Sequence, residues 1–403
     1  MKKSFIRFIC SIFMCFFLSS SFAFEWGGLF STQLGFDIGS PNRIDNPTYF
    51  NNANKFSMWA KQNIDKDGFY TFATQGSAYL KIRKLIAPEK QKAGLKPILD
   101  IDLLKFSFFI PLGKSGSLNI DLGRRGLLDS TGLIMHQSLD GIFFDYKNPH
   151  FSMMSSFAFT TLLNANTTVL NEDGYKMRNY FYALPKSYAT LIAMFQIPIL
   201  KTSYSLNLDT LHFFETKKDG KIKMYGTFGV KGPIVRHLFF SASVSGSFVK
   251  NAVEKDREVF WNMGLQSTFA MSYYFTKYNA KLGFNMQYAM GGEKNNFQSF
   301  TLRHVSSQFF SPYTDIWNTG LSASIKPVPE LYIQGLANII CKAHFSKKDK
   351  EDARKSLYQG FEWNLRSIYT IKQDISFEAS LGQYIKNDNS LQTFISLKGL
   401  ISF

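Results

Sequence analysis

Cysteine is almost absent: the 403 residues include three, Cys10, Cys15 and Cys341. The first two fall in an opening segment with the parts of a secretory signal. Basic Lys2, Lys3 and Arg7 precede an apolar run over 8–18, and small residues end in Ser21-Phe22-Ala23. Cleavage after Ala23 leaves Cys341 alone, so no intrachain disulfide can form and stability outside the cytoplasm must come from other bonds. The opening run is shorter than the roughly 20 residues of a spanning helix, and bulky Phe13 and Met14 before Cys15 disfavour a lipid anchor. Long apolar runs are missing from the remainder as well. The longest covers about ten residues over 191–200, interrupted by Gln196 and Pro198, which excludes a helical membrane protein. Proline is scarce, at 12 residues, and together with 16% aromatic residues this excludes a disordered chain. Acidic residues are in the minority: without the signal, 43 basic residues stand against 30 acidic ones. Nucleic-acid binding is the first inference from such a balance, but the basic residues cluster in hydrophilic connections such as 83–96 and 347–355. A solvated or lipid-headgroup surface explains that distribution better, so no nucleic-acid partner is expected.

What the chain has in abundance is alternation. Over Trp261–Phe275, Trp261, Met263 and Leu265, then Phe269, Met271, Tyr273 and Phe275, share one face. Asn262, Gly264, Gln266, Thr268 and Ser272 occupy the other face. The same two-residue beat puts Ala280, Leu282, Phe284, Met286, Tyr288 and Met290 opposite Lys281, Gly283, Asn285 and Gln287. Strands with one oily face and one wet face can cross a bilayer only when every backbone group is paired, which requires closure. The expected fold is all-β: a transmembrane antiparallel β-barrel over 24–403, following a signal peptide over 1–23.

The final segment alternates Ile395, Leu397, Gly399, Ile401 and Phe403 with Phe394, Ser396, Lys398, Leu400 and Ser402. It resembles the terminal strand of bacterial outer-membrane β-barrel porins, which typically ends in Phe. The resemblance implies an outer-membrane location, contact with membrane lipid, and Phe403 as an insertion signal for the barrel-assembly machinery. In such barrels short turns face the periplasm and longer loops face outward. Counting back from Phe403 places inner turns at 370–374, 326–330, 276–278, 232–236, 197–201, 147–150, 111–116 and 64–68. Outer connections fall at 39–53, 85–95, 125–137, 163–185, 216–220, 250–258, 291–314, 344–356 and 386–390. Nine loops and eight turns give about 18 strands; 16 remain if the least regular segments, 55–63 and 139–146, do not both span. Phe300, Leu302 and His304 could form one more strand, but that would break parity and put Lys326-Pro327-Val328-Pro329 outside, so 291–314 is assigned to a loop. Trp26, Trp261 and Trp317 fall at strand ends, where amphipathic rings sit at headgroup level; Trp59 and Trp363 do not.

A barrel of this size is too wide to fill with its own wall side chains. It retains an aqueous bore unless a plug or infolded loops obstruct it, and no separate plug is expected. The implied activity is passage of small hydrophilic solutes, with a surface adhesin or a structural barrel as the alternative. On the polar face, Lys81, Arg83, Lys223, Lys281, Arg366 and Lys398 are basic, while Asp100, Asp102, Asp121, Asp209, Glu362 and Glu378 are acidic. This balance gives no strong ion preference and sets a transverse field across the bore. A second local pattern is Gly123-Arg124-Arg125-Gly126, followed by Asp129 and then by Asp140-Gly141 at the head of the next strand. It resembles an element of alginate-export and related carbohydrate porins, without the aromatic expected between the two dipeptides. Glycines would let the backbone bend inward so that Arg124, Arg125 and Asp129 line a constriction; an Arg–Asp clasp holding a loop is the competing reading. Of the six histidines, only His136 has a hydroxyl and a carboxylate nearby, in Ser138 and Asp140, and these stand roughly 7 Å apart in succession along a strand. No enzyme motif, metal site or cofactor is expected. Sequence alone leaves the solute and the oligomeric state open.

Overall fold

The computed structural model describes residues 24–38, 48–85, 94–160, 187–199, 203–217, 220–250, 261–292, 295–301, 313–344 and 357–403. The signal assigned to 1–23 and the basic stretch 347–355 lie outside them, as does the side chain of Arg83. Among the described residues eighteen strands follow one another: β1 (Phe24–Ile38), β2 (Tyr49–Asn63), β3 (Tyr70–Leu85), β4 (Gly94–Leu112), β5 (Gly116–Leu128), β6 (His136–Lys147), β7 (Ser152–Phe159), β8 (Tyr188–Ile199) and β9 (Tyr204–Glu215) form the first half. The second half is β10 (Ile222–Val235), β11 (Leu238–Lys250), β12 (Trp261–Phe275), β13 (Ala280–Ala289), β14 (Ile316–Val328), β15 (Leu331–Cys341), β16 (Tyr358–Lys372), β17 (Ile375–Lys386) and β18 (Leu391–Ser402). Each pairs antiparallel with its chain neighbours, and β1 pairs with β18 from Leu29↔Ser402 to Ile38↔Thr393, closing the barrel. Both irregular segments, 55–63 and 139–146, span as parts of β2 and β6, which settles the count at eighteen.

The alternation sorts the side chains as the pleat requires. Phe30, Leu34, Phe228, Val244, Leu282, Leu321 and Leu397 are exposed on the outer surface, while the intervening Ser31, Ser245 and Thr227 are buried on the inner one. So wide an apolar exterior is unsuited to water and suited to a bilayer. Trp26, Trp261 and Trp317 are exposed at strand ends, as interfacial rings should be. Trp59 shares the inward face with Lys55 and Ser57, and Trp363 donates its indole N–H to Gln383 at 3.1 Å.

The last residue completes the seam. Gly28 and Phe403 exchange both backbone hydrogen bonds, at 2.8 and 3.0 Å, and the Phe403 ring stacks on Phe56 at 6.3 Å. A β-carbon on Gly28 would run into that ring, so a larger residue there would have to push the ring aside. Gly28→Leu is expected to loosen the seam and lower the temperature at which the barrel unfolds on a heated detergent gel. An unchanged transition temperature would remove the ring from the account of closure.

Candidate functional site

The structure departs from a plain hollow tube at the hairpin of β5 and β6. Up to Leu122 and Ile142, both exposed outward, the hairpin is part of the wall. Pairing with β4 then stops at Leu104↔Arg124 and pairing with β7 at Asp140↔Phe159, while β5 and β6 stay paired to each other as far as Leu128↔His136. The free end leaves the wall and turns into the bore. Gly123 takes φ +120° at the departure point, a conformation L side chains rarely adopt, and a β-carbon on Gly141 would meet the backbone of Phe157 and Ala158. These are the two glycines of the Gly-Arg and Asp-Gly pairs, and they face each other across the ladder.

Arg124 is buried at this bend. Its guanidinium lies 3.5 Å from Asp140 and 3.9 Å from Asp100, with 1% of the Arg124 side chain exposed. Arg125, one residue on, faces the partly wet interior. It pairs with Asp121 at 2.8 Å and with Asp145, and its guanidinium stands 4.7 Å from the Phe143 ring centre. Asp121 also accepts from Lys105 at 3.0 Å, Ser107 at 2.6 Å and Asn119 at 2.8 Å. The result is a chain of alternating charge, Lys105, Asp121, Arg125, Asp145, along the inner wall. Asp129 does not meet the bore: it is buried and accepts from the backbone N–H groups of Thr131, Ile134 and Met135, thereby shaping the hairpin tip.

The tip crosses to the far wall. Ser130 N–H donates to Asp209 of β9 at 2.8 Å, and the Ile134 carbonyl accepts from Phe300 and Thr301 at 2.9 and 3.0 Å. Those two residues belong to the connection between β13 and β14, which sequence reading assigned to an outer loop. Within that connection, 295–301 folds inward and lines the inside of the barrel, because its aromatic residues find an apolar wall there. Phe300 stacks on Phe213 at 3.7 Å and meets Tyr188 edge-on, while Phe297 meets Tyr225 and Tyr313 edge-on. Backbone fit completes the docking. Asn296 N–H donates to Asn262 Oδ1 at 2.9 Å, and Gly264 leaves room for the backbone of Asn296 and Phe297. Leu302 and His304 lie outside the described residues.

The predicted wall residues therefore divide into two groups. Lys223, its ammonium 5.6 Å from the Phe300 ring centre, and Asp209 are buried beneath the inward segments. Asp100 and Arg124 are buried at the bend, and Glu362 is buried on β16. Others keep contact with solvent. Asp102 accepts from Ser77 and lies 3.8 Å from Lys55, Arg366 pairs with Glu378 at 2.7 Å, and Lys398 stands opposite Glu378 and Gln33. Lys81 and Lys281 lie near Tyr79 and Tyr274, at 5.9 and 5.4 Å. Sequence reading missed Lys55, Lys105 and Asp145, whose positions on the polar face of their strands marked them as candidates. It also missed Lys231, which lines two recesses of the inner wall. One, of about 230 Å³, lies beneath the hairpin tip and is lined by Leu128, Met154, Met194, Asn207 and Asp209. The other, of about 510 Å³, lies toward the short turns beside Phe239, Ser241 and Tyr274. Ser138 donates to the Asp102 carbonyl at 3.4 Å, and Asp140 pairs with Arg124 at 3.5 Å.

No protein-family model matches the chain, and no curated protein matches it in sequence. Solved structures do match in fold. Pseudomonas aeruginosa OccK9 (OpdG) superposes with a TM-score of 0.60 at 12% identity, covering 94% of this chain and 98% of that one. OccK5 (OpdH) from the same organism gives 0.58 at 8% identity, and OpdK with vanillate gives 0.57 at 10%, both with the same coverage. At these identities the likeness is one of fold alone.

Proposed function

We propose that the chain is an outer-membrane channel for passive diffusion of small hydrophilic solutes, narrowed by the β5–β6 hairpin and by the segment 295–301. One observation carries the reading: ionisable side chains on the inner face retain access to solvent, as in Lys55 (30% exposed), Lys105 (26%) and Arg366 (42%), inside a cylinder whose exterior is apolar. Water must reach these groups through the bore. Delivery by the signal over 1–23 and insertion through Phe403 by the barrel-assembly machinery complete the proposal. The recess under the hairpin tip is lined by Lys147 and Lys231 as well as by Asp145, Asp209, Met154 and Met194, which makes a small anion with an apolar body a solute worth testing there. Vanillate, bound in one of the similar structures, is such an anion and belongs in the solute panel.

Stepwise conductance in a planar bilayer, with liposome swelling in sugars, amino acids and vanillate, tests the reading. A refolded barrel with no conductance steps would favour the adhesin or structural alternative. Within the channel reading, Arg125 is the one of the two arginines at the bend that is in a position to act on ions. Arg125→Ser is expected to shift reversal potentials toward cation preference, because it removes a positive charge from the solvated chain and leaves Asp121 and Asp145. An unaltered reversal potential would make Arg125 a purely structural partner of the two aspartates.

A further inference from the structure

The wider recess of the inner wall has a construction that hydration of the bore does not require. Along the ladder of β11 and β12 the inward pairs run from buried Ser245↔Gln266 through Ser243↔Thr268 and Ser241↔Ala270 to Phe239↔Ser272. Small side chains therefore form a floor. The rings of Phe239 and Tyr274 rise at its end near the short turns, and about 510 Å³ opens between them and Lys231. Tyr274 is held on two sides, edge-on to Phe239 at 5.7 Å and with the Lys281 ammonium 5.4 Å from its ring centre. Phe239 is 44% exposed and Tyr274 41%, although both share the inward face with Ser241 and Ser272. Apolar rings gain nothing from water, and the lipid lies on the other side of the sheet, so two open rings on a polar wall call for an occupant. The rest of the lining is hydroxyl-rich. Gln196 donates to Ser205 Oγ at 2.9 Å, while the hydroxyls of Ser241 and Ser272 make no hydrogen bond to another described side chain.

We propose that this recess is a binding subsite for the six-membered ring of a sugar, a reading that rests on the channel because solute reaches the recess through the bore. A pyranose has an apolar C–H face that can lie on Phe239 and a rim of hydroxyls that can exchange hydrogen bonds with Ser241, Ser272 and Lys231, so both halves of the lining are used. A flat aromatic acid meets Phe239 and Lys231 but sets carbon against the serine hydroxyls, which then lose water without gaining a partner. The volume falls within the roughly 300–1,000 Å³ of small-molecule sites. One side stays open to the bore, so the sugar binds weakly and leaves readily, as passage demands.

The test titrates the full barrel in detergent with maltose and with sorbitol, while saturation-transfer NMR reports contact with the solute protons. Maltose is expected to bind saturably. Sorbitol, which has the hydroxyls without a ring face, should bind at least about threefold more weakly. Phe239→Ala is expected to weaken maltose binding about threefold to tenfold, and Phe239→Trp to preserve it. Ser241→Leu, which fills the floor, should abolish it. The gel shift on heating identifies the variants that fold, and the comparison of maltose with sorbitol on the wild type needs no variant. The proposal is overturned if maltose shows no saturable binding, if sorbitol binds equally well, or if folded Phe239→Ala and Ser241→Leu both bind like the wild type. Saturable binding of vanillate in place of maltose would give the recess to aromatic acids and overturn it too. A barrel that conducts but does not bind maltose fails the subsite alone, whereas one that passes no current fails the channel reading.

Discussion

Replacing Phe300 with alanine is expected to release the inward segment 295–301 from the wall and so raise single-channel conductance, with added current noise. The ring lies 3.7 Å from Phe213 in a parallel stack, meets Tyr188 edge-on and is fully buried. Truncating such a side chain costs about 3–5 kcal/mol when the site cannot collapse around the loss. That loss falls on the inward segment. The surrounding cylinder is held by a closed backbone ladder that does not depend on Phe300, so local undocking precedes global unfolding. Barrel melting should move little while the current changes. Gly264→Leu provides an independent route to the same state, since a side chain there would strike the Asn296 carbonyl and the Phe297 backbone. If both variants conduct like the wild type, the segment does not obstruct the current path, and the narrowing belongs to the hairpin alone.

The two inward elements should also respond together. Phe300 and Thr301 donate their N–H groups to Ile134 at the hairpin tip, and Thr301 Oγ1 accepts from His136. Undocking of the segment removes these bonds, leaving the tip with the Ser130–Asp209 contact as its hold on β9. Conductance changes in Phe300→Ala therefore report on the hairpin as well as on the segment. Asp209→Asn, which weakens the remaining contact, distinguishes the two contributions when combined with it.

The barrel was readable because its signal is local and repeated. A period of two over 261–275 or 391–403 can be seen without knowing any neighbour, and the prolines at 327 and 329 fixed a turn that parity then extended to all eighteen strands. The infolding was not readable in the same way, because alternation states that two faces differ without stating what each face touches. Phe213 and Tyr225 fall on the wet parity of β9 and β10, yet they pack against Phe297 and Phe300, which are distant in sequence. Two local signs were nevertheless present. Leu133-Ile134-Met135 is an apolar run inside a connection, and Phe297, Phe300 and Tyr313 place three aromatics in another; segments bound for solvent do not need them. The Gly-Arg and Asp-Gly pairs marked the bend correctly. They did not show that Arg124 would be sealed between carboxylates while Arg125 stayed accessible, because that depends on where the ladders to β4 and β7 end.

Arg124 is the residue whose loss should be most damaging to the folded state. Its side chain is 1% exposed between Asp140 and Asp100, themselves 5% and 2% exposed, so the cation balances two carboxylates that water does not reach. A leucine in its place fills similar volume but leaves both carboxylates buried without it. Breaking a buried pair in this way costs about 3–5 kcal/mol, mainly because a charge is left uncompensated. Arg124→Leu is accordingly expected to lower the urea midpoint for unfolding from detergent and to free the hairpin at its root, whereas Arg125→Ser should affect the midpoint far less. The sign of a second substitution separates charge from packing. If uncompensated charge is the cause, Arg124→Leu combined with Asp140→Leu must be more stable than Arg124→Leu alone, since it removes one of the stranded carboxylates. If packing is the cause, the double variant is worse than the single one. A wild-type midpoint for Arg124→Leu itself would mean that the bend is held by Gly123, Gly141 and the backbone ladder, with the arginine incidental to it.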